Sequence, residues 1–225
     1  MDRGKRSLSR DHRPRNVLVG CCIVGFSVLL QIAPAAATLI TNGSFEVPDV
    51  ATGTFQVFGN IPGWSTTFGP GIEIQDHIAG SPFDGNQFVE LDSFNNSGMS
   101  QQISTMPGEM YALSFAYSPR PGIASNSNTI QVLFNGNLLD TITANGIGLP
   151  DTSWSIFNYN VSATGSASTL EFRAAGTSNA LGGYLDDVGF APAPVPEPST
   201  LCLLSLGLAG LGYFKNKARP ARQPA

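Results

Sequence analysis

Between residues 38 and 190 apolar side chains recur at every second position, and nowhere over three turns at the three- and four-residue spacing of a helix face. Tyr111, Leu113, Phe115 and Tyr117 alternate with smaller residues; Ile130, Val132 and Phe134 do the same, as do Phe157, Tyr159 and Val161, and Leu170, Phe172 and Ala174. Successive side chains of an extended chain point to opposite faces, so this period makes strands with one buried side. Asn135-Gly136, between Val132-Leu133-Phe134 and Leu138-Leu139, is a type I′ hairpin signal, because both central residues need positive φ. Further strands fit 45–47, 72–74, 88–91, 99–103 and 185–190. Turn clusters part them: Pro62-Gly63, Gly69-Pro70-Gly71, Pro107-Gly108 and Ser125-Asn126-Ser127-Asn128. About ten short strands, no helix and no internal repeat predict an all-β domain, an antiparallel two-sheet sandwich.

Such a domain must stand on its core. All three cysteines, Cys21, Cys22 and Cys202, lie in apolar terminal runs, so the middle has neither a disulfide nor a thiolate metal site. A domain of roughly 150 residues hides about 70% of its unfolded surface, which is sufficient without staples. The formal charge of −4 conceals a segregation. Of the 12 Lys and Arg, all but Arg120 and Arg173 fall in 3–15 or 215–222, while 13 acidic side chains lie in 38–190, giving that stretch a charge of −11. Phosphate binding needs a basic footprint, so nucleic acid is excluded as a partner and a cation is the more natural one. The single histidine of the middle, His77, excludes any mechanism that needs paired imidazoles.

The two ends read as addresses. Basic residues 3–15, the apolar run 17–32 and Ala33-Pro34-Ala35-Ala36-Ala37 are the three parts of a secretory signal peptide spanning 1–37, with cleavage after Ala35 or Ala37. Leu18-Val19-Gly20-Cys21 also matches the tetrapeptide that precedes lipid attachment at a cysteine, although few apolar residues separate Arg15 from Cys21. At the other end, the Pro-rich stretch 191–198 is an extended spacer, since proline fixes φ and lacks an N–H. Residues 199–225 comprise an apolar run and a tail carrying Lys215, Lys217, Arg219 and Arg222. As a helix the run, 199–214, reaches about 24 Å, short of a hydrocarbon core of roughly 30 Å. The basic tail keeps to the cytoplasm and leaves the middle outside.

Pro196-Glu197-Pro198, an apolar helix and a basic tail, in that order and paired with a signal peptide, resemble the PEP-CTERM sorting signal of exosortase substrates. The resemblance implies a Gram-negative exported protein, passed by the general export machinery and signal peptidase. It would be held transiently in the inner membrane and cut near Pro196-Glu197-Pro198 by an exosortase-type membrane protease. It also implies an association with extracellular polysaccharide at the cell surface or in the matrix. A permanent single-span anchor is the alternative.

A second resemblance covers the middle. Leu39-Ile40-Thr41-Asn42-Gly43-Ser44-Phe45-Glu46, Ile61-Pro62-Gly63-Trp64, 84–91 and Tyr184-Leu185-Asp186-Asp187-Val188 are similar to the galactose-binding-like jelly roll, a superfamily with many carbohydrate-binding modules. It implies a structural Ca²⁺ between the first and last strands, at Ser44, Glu46, Asp186 and Asp187. Asp186 would share a strand face with Tyr184, Val188 and Phe190 and point partly inward, Asp187 outward; an offset register exchanges them. Without metal these carboxylates are edge charges that discourage sheet-to-sheet pairing.

A sugar site needs an exposed aromatic platform beside amides or carboxylates. The candidates are Trp64, Phe68, Trp154 and Tyr184, with Asp92, Asn95, Asn96 and Asn126 in loops; each tryptophan fits a sandwich core at least as well. Nothing assigns catalytic residues. No Gly-x-Ser-x-Gly elbow accompanies His77, and two carboxylates can be picked from 13 without meaning. Asn42, Asn95 and Asn160 open sequons that an exported Gram-negative chain does not use. The reading is a non-catalytic exported module that binds polysaccharide or serves as a spacer; the alternative is a polysaccharide-active enzyme of the same compartment.

Overall fold

A computed structural model describes residues 37–194 and 206–211. Twelve strands form: β1 Thr54–Phe58, β2 Asn60–Ile61, β3 Trp64–Phe68, β4 Ile72–Asp76, β5 Phe88–Glu90, β6 Gly98–Ser104, β7 Met110–Ser118, β8 Ile130–Phe134, β9 Asn137–Ile142, β10 Ser155–Ser162, β11 Ala167–Ala174 and β12 Tyr184–Pro192. They make two six-stranded antiparallel sheets, ordered β1-β4-β5-β12-β7-β10 and β2-β3-β6-β11-β8-β9. This is the all-β, two-sheet jelly-roll sandwich expected. Residues 206–211 are helical. The rest of the expected C-terminal helix, the Pro196-Glu197-Pro198 motif and the signal peptide lie outside the described residues. Among the described residues no helix is long and apolar enough to cross a membrane.

The alternating strands pack as the period requires. Leu113, Phe115 and Tyr117 of β7 and Leu185 and Phe190 of β12 face Val132, Phe134, Leu170 and Phe172 of the other sheet. Phe172 bridges the layers, its ring 5.0 Å from Phe115 and 6.0 Å from Trp64. Each such buried side chain stabilises the fold by about 1.5–3 kcal/mol. Asn135 and Gly136 take φ of 51° and 77°, the hairpin turn read from the sequence.

Three readings need correction. Residues 45–47 are not a strand: Phe45 adopts φ 57°, and the Asn42 side chain closes a loop by bonding both the N–H and the carbonyl of Val47. The strands β1, β2 and β3 form where none was expected, because most of their side chains are exposed and leave no apolar period. Asp186 does not share a face with Val188 and Phe190. A bulge at Asp187, whose φ is 46°, shifts the register between Asp186 and Gly189 and exchanges the faces of β12. Leu185, Val188 and Phe190 therefore enter the core, while Tyr184 and Asp186 lie on the opposite side of their sheet.

Candidate functional site

In β4 and β5 the residues between core positions form an outer face. Ile72, Ile74, Val89 and Leu91 point into the sandwich, so Glu73, Gln75, Phe88 and Glu90 point away from it. Register sets them in rows: Glu73 pairs with Glu90, Glu90 with Tyr184 and Tyr184 with Ser118, while Phe55 pairs with Gln75 and Gln75 with Phe88. An outer face would ordinarily be wet. Here a loop after β4 lies over it. Tyr184 Oη donates to the Ala79 carbonyl at 3.2 Å, and Trp154 Nε1 donates to the Ser81 carbonyl at 2.9 Å. Phe83 and Phe88 meet the Trp154 ring edge-on.

The charged centre of this face is deeply buried. Glu90 accepts from Gln75 Nε2 at 2.5 Å and from the Gly182 N–H at 2.5 Å, and pairs with Arg120. Gln75 Nε2 also donates to Glu73 at 2.8 Å, and the Arg120 guanidinium lies 5.9 Å from the centre of the Tyr184 ring. Burial pushes the Glu90 carboxyl up to about 8, against the pull of Arg120, with the Glu73 charge adding to the rise. Glu73 is also raised, first by burial. Asp92 accepts from the Asn179 and Leu181 N–H groups at 3.0 and 3.4 Å.

Four buried oxygens here have no hydrogen-bond partner among the described residues: Gln75 Oε1, Asp92 Oδ1, Ser93 Oγ and Asn96 Oδ1. A buried polar atom without a partner costs free energy unless something else meets it. Gln75 and Ser93 line a cleft of about 340 Å³ together with Glu73, Arg120, Ile78, Ala79, Ala180 and two aromatic rings, Phe55 and Phe94. Those rings are 47% and 61% exposed. A second cleft of about 510 Å³ adjoins it through Ile78, Ala79 and Arg120.

The aromatic residues chosen from the sequence are dispersed. Trp64, 1% exposed, packs on Phe45 and Phe172 in the core and offers no platform, since its inward position on β3 places it between the sheets. Tyr184 is 0% exposed and lies beneath the loop, so it supports the face without presenting a surface. Trp154 is half-buried as the post that holds that loop. Phe68 is exposed on β3, in the other sheet. The rings beside the cleft were missed because Phe55 sits in a polar, exposed strand and Phe94 in a loop. Two signals were available: Glu73 and Gln75 alternate with Ile72 and Ile74, and Arg120 is one of only two basic side chains in the middle.

Two of the metal candidates, Asp186 and Glu46, hold one short loop. Asp186, fully buried, accepts from the N–H groups of Phe83, Asp84 and Asp187 at 2.8, 3.0 and 2.7 Å. Glu46 Oε1 accepts from Asn86 and Gln87, both at 2.9 Å. Ser44 is half-buried nearby in sequence, and Asp187 is exposed. Burial raises Asp186 to about 7, the charge of Asp84 adding to the rise; Asp187 is raised by burial and by Asp84. Among the described residues no three His, Cys, Asp or Glu side chains converge as a metal cluster. His77, exposed in the loop after β4, bonds Asp76 through Nδ1 at 2.7 Å.

Residues 194–217 match the PEP-CTERM protein-sorting motif. The chain is 28% identical over 156 residues to the multifunctional-autoprocessing repeats-in-toxin of Vibrio cholerae serotype O1, and equally to that of Vibrio vulnificus. Each match covers 68% of this chain, which spans only 3% of the length of those curated relatives. Among solved structures it is similar to a family 61 carbohydrate-binding module in complex with beta-1,4-galactotriose. That match has 14% identity and a TM-score of 0.47, covering 70% of this chain and 99% of the module. A family 16 carbohydrate-binding module matches with 18% identity and a TM-score of 0.46, covering 68% and 99%.

Proposed function

We propose that this chain is an exported, non-catalytic module that binds polysaccharide at the cell surface or in the extracellular matrix, through the cleft between Phe55 and Phe94. The observation that carries the reading is the pairing of two exposed rings with unpartnered, buried polar atoms on Gln75 and Ser93. Sugars have one apolar C–H face and a rim of hydroxyls. The rings take the first, and Gln75 Oε1, Ser93 Oγ and the free guanidinium N–H groups of Arg120 take the second. The sorting motif supports export and processing by an exosortase-type protease, after signal peptidase and the general export machinery have acted.

An enzymatic reading draws on Glu73 and Glu90, paired across neighbouring strands with raised pKa values. It is the weaker of the two, because Glu90 has no exposed surface and both its oxygens already accept hydrogen bonds. Ca²⁺ is part of the proposal as a structural ion: burial first, and then the charge of Asp84, raises Asp186 and Asp187, and a hard cation with oxygen ligands from these residues, Glu46 and Ser44 would offset both.

The test is a glycan array with the full chain in detergent, beside hydrolysis assays on the sugars that bind. Binding without turnover is expected. Phe94→Ala and Phe55→Ala should each weaken it by about tenfold, the loss of one ring's stacking. Undiminished binding in both variants, or release of reducing ends by the wild type, would overturn the reading.

A further inference from the structure

Resting on the proposed sugar-binding cleft, we propose that its ligand carries free amino groups: a polysaccharide with amino-sugar residues whose nitrogen is unacylated. The floor of the cleft has a lopsided inventory. Gln75 Oε1 can only accept, Ser93 Oγ is buried with nothing bonded to it among the described residues, and Glu73 Oε2 takes no hydrogen bond among them either. On the donor side stands Arg120, and one of its nitrogens is held by Glu90. Glu73 is the one carboxyl group among the lining residues.

A hydroxyl brings a single donor. An ammonium brings three, together with a positive charge to set against Glu73, and so suits a lining with more open acceptors than donors. Phe94 and Phe55 at the rim accept a cation over their faces as readily as a sugar's C–H face. A uronate or sulfated sugar would instead add acceptors, and negative charge beside Glu73. An N-acetylated residue has one N–H and no charge.

The experiment compares three probes by calorimetry on the full chain in detergent at about pH 6, where an amine is charged. They are a glucosamine oligomer, its fully N-acetylated counterpart and an oligogalacturonate. The expected result is binding of the amine form at least about tenfold tighter than the acetylated form, with the uronate weakest. Glu73→Gln should bring the two glucosamine forms close to equal affinity, and Ser93→Ala should weaken the amine form several-fold; Phe94→Ala should weaken both alike. Equal affinity for amine and acetylated forms in the wild type, or preference for the uronate, overturns this inference and leaves the sugar-binding reading standing. Failure to bind any of the three or any sugar of the array overturns both.

Discussion

Glu90 sits in the interior of a sheet with its side chain out of reach of water, yet it is a carboxyl group. Two N–H donors and a guanidinium hold it, but burial outweighs them and its pKa rises to about 8. Asp186, held by three backbone N–H groups, follows the same rule and rises to about 7. In both cases the native state binds a proton more tightly than the unfolded chain. In the unfolded chain the two groups ionise near pH 4 to 4.5, the ordinary carboxylate range, so between there and about pH 7 to 8 the native state holds more protons, and stability falls as pH rises through that window. Thermal melts of the full chain are expected to show a higher transition at about pH 5 than at about pH 8. Glu90→Gln and Asp186→Asn should each flatten the slope. A transition that climbs over the same range would place these protons elsewhere.

The loop at 83–87 shows how elements far apart in sequence are joined. Glu46, near the start of the described chain, holds its second half, and Asp186, on the last strand, holds its first. Gly85 between them has φ 64°, a conformation that favours glycine, and a Cβ there would press on the Glu46 carboxylate that holds the loop. If Ca²⁺ supports this junction, excess Ca²⁺ should raise the melting transition of the full chain over chelator by several degrees, and Glu46→Gln or Asp186→Asn should abolish the difference. An unmoved wild-type transition would leave the junction to the N–H groups alone. Much of this was legible beforehand: alternation placed β7, β8, β10 and β11, and Asn135-Gly136 placed a turn. What alternation cannot register is a bulge, and a single extra residue at Asp187 moved Asp186 away from the face it was assigned. Nor can a period tell a wet outer face from one roofed by a loop. Alternation therefore leaves Tyr184 among the candidate platforms and gives no sign of Glu73, Gln75 and Ser93, the polar lining of the cleft.

Over the whole sandwich, β12 is the element that relates the cleft to the sorting signal. It begins at Tyr184, paired with Glu90 beside the cleft, and ends at Pro192, with Ala193 N–H still bonded to the Met110 carbonyl. At about 3.3 Å per residue its two ends are separated by roughly 26 Å. The start of the folded domain lies at the far end too, since the Leu39 N–H donates to the Phe190 carbonyl at 2.6 Å. Leu39 and Pro192 thus both lie at the end of β12 away from the cleft, and the sorting motif at 194–217 begins just after β12. If the C-terminal signal holds the chain and the cleft binds glycan as proposed, the polarity of β12 leads to the expectation that binding does not require release. Replacing Pro196-Glu197-Pro198 with alanines should block processing and leave a membrane-held precursor that retains Lys215 to Arg222, read by intact mass. That precursor should capture the same glycan as the processed form with an affinity within about threefold, a difference below 1 kcal/mol. Processing that proceeds despite the substitution would separate cleavage from that tripeptide. A precursor that binds only after release would mean that attachment covers the cleft, contrary to the polarity of β12.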